Sequence, residues 1–89
     1  MSLLGSIAIS LAGRDKDRVF IIVGVLDEGY VLAADGKKRK IEKPKKKRMK
    51  HIRTVRSADG DLATLIKEQK LSNRTAAKIV SSYHNSPNY

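Results

Sequence analysis

Apolar positions in the first half of the chain come in short runs bounded by turn residues. Residues 5–11, GSIAISL, and 18–26, RVFIIVGVL, have the β-branched content and alternation of strands. Between them lies AGRDKD, where Gly13 can take a positive φ and the charged side chains stay in water, so the pair predicts a hairpin. DEG (27–29) reads as a turn and YVLAA (30–34) as a third strand. Asp35-Gly36 has the chemistry of a tight hairpin turn, which places a fourth strand at 38–42. Pro44 lacks a ladder donor and breaks the run or marks a sheet edge. A Lys-rich connection is then expected over 43–48 and a fifth strand over 49–55, with Ile41, Met49, Ile52 and Val55 as apolar anchors.

The period changes in the last third. Leu62, Leu65, Ile66 and Gln69 follow helical spacing behind Asp59 and Asp61, either of which suits a helix start. Ala76, Ile79, Val80 and Tyr83 repeat the spacing, with Ser72 or Asn73 as cap. Two helices, 61–70 and 73–83, are predicted, and HNSPNY reads as a frayed end. The fold class that follows is mainly β. A small five-stranded, strongly bent SH3-like barrel over 1–56 is followed by a C-terminal helical extension over 57–89.

Charge adds a direction to this outline. The formal net charge is +10, and residues 37–56 hold twelve basic side chains against Glu42 alone. Residues 1–36 hold three basic and five acidic side chains, and residues 57–89 four and three. So concentrated a block repels itself, and a polyanionic partner offsets that cost. Nucleic acid leads, ahead of an anionic membrane surface or a targeting cluster. A solvated charged face with no partner is the plain alternative. No apolar stretch reaches the length of a membrane span, because charges at residues 14–16 end the first one. MSLLGSIAISLAG lacks a preceding basic region and is not read as a signal peptide. With no cysteine in the chain, a reducing cytoplasm is the expected compartment.

Catalysis has little to stand on. His51 and His84 are far apart in sequence, the carboxylates sit in turns, and no phosphate-cradling glycine motif is present. No enzyme activity, cofactor or metal site is expected. His51 is read as structural ahead of phosphate-facing. Phe20 is assigned to the core and Tyr30 to an apolar strand. Stacking of single-stranded bases is therefore not expected, and recognition by shape and phosphate is.

The hairpin stretch ISLAGRDKDRVFIIVGV resembles the KOW motif, with Gly13 at its glycine position, Lys16 at its basic position and Val19 to Val25 as the second strand. The order SLAGRDKDRVFIIVGVLDEGYVLAADG followed by KRKIEKPKKKRMKHI extends the resemblance over residues 5–53. It is similar to small bacterial KOW-domain RNA-binding proteins that resemble the fourteenth large-subunit ribosomal protein of archaea and eukaryotes. Asp17 stands where many of those relatives have glycine. The resemblance implies an SH3-like barrel binding structured RNA on or near the ribosome, with ribosomal RNA as the expected partner.

Physical reasoning points to the same residues. Arg14, Lys16 and Arg18 lie by the first hairpin loop, Lys37, Lys38, Arg39 and Lys40 follow the Asp-Gly turn, and Lys43, Lys45, Lys46, Lys47, Arg48 and Lys50 complete one expected basic face. Gly13, Asp35 and Gly36 are the structural turn residues. The helices are expected to pack on the barrel, with contacts to ribosomal proteins as a further role. The competing reading is a protein-interaction adaptor that docks an acidic partner through the barrel or helices.

Overall fold

A computed structural model describes residues 3–58 and 60–84, with only the backbone at His84. Five antiparallel strands are followed by two helices: β1 (Ile7–Ser10), β2 (Val19–Val25), β3 (Tyr30–Ala34), β4 (Lys45–Arg48), β5 (Ile52–Arg56), α1 (Gly60–Lys67) and α2 (Asn73–His84). The strand order is β4-β3-β2-β1-β5, so consecutive strands β4 and β5 lie at opposite edges. A flat sheet would separate those edges by about 19 Å, four spacings of about 4.8 Å. The chain joins them through a single 3-10 turn, Met49–His51. Even fully extended, the step from Arg48 to Ile52 spans only about 14 Å. The sheet therefore curls until its edges approach at this end. Two hydrogen bonds staple the turn: Met49 N–H donates to the Gly29 carbonyl and Leu11 N–H to the His51 carbonyl, both at 2.8 Å.

Two bulges help the sheet bend. Ile22 pairs with Ala33 and Gly24 with Leu32, which leaves Val23 as an extra residue on β2. On β5, Thr54 pairs with Ala8 and Arg56 with Ile7, and Val55 is extra. That explains why Val55 is 42% exposed and does not anchor the core. Met49, on the 3-10 turn, is 39% exposed and does not anchor it either. Ile52 does, packing against Ala8, Ile22 and Val31 inside the curl.

The alternation of β2 sends Val19 and Ile21 to the opposite side, where Ile7, Leu62, Leu71, Ala76 and Val80 form a second cluster. Strand β2 is thus buried on both faces, which is what its unbroken apolar run records. Helices α1 and α2 cover this outer side and share one core with the sheet. Ser72 caps α2, accepting from Thr75 N–H at 3.1 Å. Asp61 lies inside the first turn of α1, and Asp59 lies outside the described residues, as does HNSPNY beyond His84. Helix α1 stops at Lys67 rather than 70. Gln69 takes φ 58, while Lys70 N–H reaches the Leu65 carbonyl at 2.8 Å, the closing pattern of a left-handed C-terminal cap.

The fourth strand departs from expectation. Residues 38–42 are loop, and the Lys-rich segment 45–48 is the strand. The cause is Asp35. Its Oδ1 accepts from the backbone N–H groups of Lys37 and Arg39 at 2.8 and 2.9 Å, which opens the Asp-Gly turn into a wider loop. Asn73, at the start of α2, then holds that loop. Its Oδ1 accepts from Ile41 N–H at 2.8 Å and its Nδ2 donates to Glu42 at 2.6 Å. Ile41 is half-buried against the helical cluster, so its inward role survives without a strand. Pro44 directly precedes β4, which pairs only with β3 and so forms a sheet edge.

Candidate nucleic-acid interface

The loop between β1 and β2 is closed by local turn chemistry. Ser10 N–H donates to the Arg18 carbonyl at 2.9 Å and Asp17 N–H to the Ser10 carbonyl at 2.8 Å. Gly13 has φ 81, as its turn role requires. Asp17 has φ 70, so it adopts the left-handed backbone that glycine supplies more cheaply. This loop carries Arg14 and Arg18 toward the 35–39 loop, which carries Lys38 and Arg39. With Phe20, Lys45, Asp15 and Asp35 they line a groove of about 410 Å³.

Both carboxylates in the groove are already engaged. Asp35 is buried and bonded to two backbone N–H groups. Asp15 accepts from Lys45 Nζ at 2.6 Å and pairs with Lys47 Nζ at 3.4 Å. Arg14, Arg18, Lys38 and Arg39 have no ion pair among the described residues, so their charge faces solvent uncancelled.

Pairing in β4 divides its four cations. Lys45 and Lys47 take one face and reach Asp15, while Lys46 and Arg48 take the other. The Lys47 side chain is only 9% exposed. Its ammonium also donates to Ser10 Oγ at 3.1 Å and lies 5.3 Å from the centre of the Phe20 ring. Lys47 is therefore a structural cation rather than a free contact for a ligand. On the opposite face, Lys46 Nζ sits 4.4 Å from the Tyr30 ring centre and the Arg48 guanidinium 5.5 Å from it. Nothing in a run of four cations tells which two turn inward; that needed the register with β3.

The remaining predicted contacts spread outward. Lys37 lines a hollow of about 200 Å³ with Arg18, Lys38, Ala77, Val80 and Ser81, beside the groove. Lys16, Lys40, Lys43 and Lys50 are exposed on loops and on the 3-10 turn. The single basic face expected from sequence is thus a groove with a rim, plus a separate pair on the outer face of β4. His51 is exposed on the 3-10 turn, where its backbone carbonyl binds Leu11.

The Lys45 hydrogen bond, chiefly, holds the Asp15 carboxyl below its ordinary value; burial opposes this, and the charges of Lys45 and Lys47 add to it. A carboxyl depressed on folding adds stability that is complete above its unfolded value, about 3.9, and fades as pH falls through the folded one. Asp15→Asn is accordingly expected to cost about 1–3 kcal/mol at pH 7, the scale of a hydrogen bond to a charged group. In urea melts the gap from wild type should narrow as pH drops from 5 to 3. A gap of constant size across that range would mean that the ionised carboxylate contributes nothing.

Among the described residues no helix is long and apolar enough to cross a membrane. Compared with known proteins, the chain matches no protein-family model and no curated sequence.

Proposed function

We propose that this chain is a non-catalytic, cytoplasmic RNA-binding protein that docks on structured RNA, ribosomal RNA foremost, through the groove between the 11–18 and 35–39 loops. The observation that carries the reading is the convergence of Arg14, Arg18, Lys38 and Arg39 on one groove whose two carboxylates are already bonded, Asp15 to Lys45 and Asp35 to backbone N–H groups. A-form RNA offers phosphates and sugars on a fixed surface, while its deep major groove is closed to side chains. Cations held by a folded scaffold suit such a surface. The groove provides a recess for backbone phosphates, and Lys16, Lys37, Lys40, Lys43 and Lys50 extend the positive field around it. The resemblance of residues 5–53 to KOW-domain RNA-binding proteins supports the same reading.

The adaptor reading draws on a different feature, a groove of about 460 Å³ lined by Val23, Leu32, Ile41, Pro44, Ile66 and Leu71, with Glu42 and Gln69. Sedimentation of a cell lysate separates the two. Co-migration with ribosomal particles that is lost on ribonuclease treatment is the expected result. A small complex that resists ribonuclease would replace RNA binding with protein docking.

A further inference from the structure

We infer that the outer face of β3 and β4 carries a stacking site for an unpaired nucleobase, built on Tyr30, Lys46 and Arg48. The inference rests on the RNA-binding reading but concerns a different surface and a different part of the RNA. Tyr30 pairs with Arg48 and Leu32 with Lys46, so the pleat brings the tyrosine and both cations to one side of the sheet. With one cation 4.4 Å and the other 5.5 Å from its centre, the half-buried ring holds two otherwise mobile side chains over itself. Both cations are exposed and have no ion pair among the described residues. A guanidinium held over a ring keeps a planar outer surface, and that surface is one on which RNA bases stack. Met49, exposed and next in sequence to Arg48, adds an apolar neighbour.

Charge at this end of the sheet is more nearly balanced than in the groove, which leaves less to attract a phosphate. Asp27 and Glu28, both exposed, occupy the turn that leads into Tyr30, and unlike Asp15 and Asp35 they make no ion pair or side-chain hydrogen bond among the described residues. Their field works against a phosphate beside Tyr30 and costs a neutral base little. A paired stem keeps its bases stacked inside and has none to offer here. The site therefore takes a bulged or looped-out nucleotide, while the groove on the other side of β4 takes phosphates.

The test uses two RNA hairpins with the same stem, one fully paired and one with a single bulged 2-aminopurine, titrated at constant salt. Wild type is expected to bind the bulged hairpin roughly tenfold more tightly, the lower part of the range for one stacked base, and to quench the 2-aminopurine. Arg48→Lys keeps the charge and removes the plane. It should bind the paired hairpin as wild type does and lose both the preference and the quenching. Equal affinity of wild type for the two hairpins, or a preference that survives in Arg48→Lys, overturns the stacking site and leaves the groove standing. Failure of wild type to bind either hairpin overturns the RNA reading, and the stacking site with it.

Discussion

Gly36→Ala is expected to destabilise the protein by about 3–5 kcal/mol, among the largest effects of any single substitution. Two costs combine at this position. Gly36 has φ 81, and an L-residue held in that region loses roughly 1–2 kcal/mol. A Cβ there would also overlap the Asn73 carbonyl oxygen and lie 2.8 Å from Ala77 N and 3.1 Å from Ala76 Cβ. Those first two atoms are backbone at the start of α2, and α2 is seated in the core through Ala76 and Val80. Neither side can yield without undoing packing. Gly13 and Gly29 provide the control, since both have φ 81 and open space where a Cβ would go. Their alanine variants should show the backbone cost alone. For a domain of this size, 3 kcal/mol lowers the melting temperature by about 12 °C or more. Equal melting temperatures for Gly36→Ala and Gly13→Ala would show that the approach to α2 is without energetic weight.

The same contact assigns work to the helices. Gly36 against the first turn of α2, and Asn73 on Ile41 and Glu42, fix both ends of the loop that presents Lys38 and Arg39. The helical extension therefore positions two of the four groove cations that lack an ion pair among the described residues, without contributing a charge of its own to the groove.

What could be read from the sequence follows the range of the interactions involved. The first hairpin is set by neighbours: the loop glycine, the turn bonds of residues 10–18 and an apolar β2. The helices were legible because period and the Ser72 cap are local as well. The β4 segment was not, since KRKIE and KKKR are both strongly basic and neither alternates apolar with polar. Asp35-Gly36 then favoured a tight turn and pulled the strand forward. Two facts decide otherwise: Asp35 captures the N–H groups of Lys37 and Arg39, and Asn73, thirty-two residues from Ile41, holds the loop open. Pairing of Asp15 with Lys45 and Lys47 spans a similar distance. Composition made every cation of the basic run look equivalent, and only the fold distinguishes Lys47, inward and paired, from Lys38, exposed at the groove.

Neutralising the groove should weaken RNA binding far more than removing the same charge elsewhere. In the variant Arg14→Gln, Arg18→Gln, Lys38→Gln and Arg39→Gln, the Asp15–Lys45–Lys47 pairing and the Asp35 backbone bonds stay in place, so the melting temperature should change little. If each cation meets one phosphate, four fewer counterions are released on binding. The slope of log K against log salt should then become shallower by about three units, with affinity at low salt down roughly a hundredfold or more. The matched control is Lys67→Gln, Lys70→Gln, Arg74→Gln and Lys78→Gln on the helical extension, where all four side chains are exposed. Each set removes four from a formal charge of +10. A long-range field would respond similarly to both, because a uniform potential depends on net charge. A built phosphate groove responds to the first alone, and the helical set should cost less than about threefold with its slope almost unchanged. Filter binding across 50–200 mM salt reads both quantities. Equal losses in the two variants would reduce the groove to one part of a generally cationic surface.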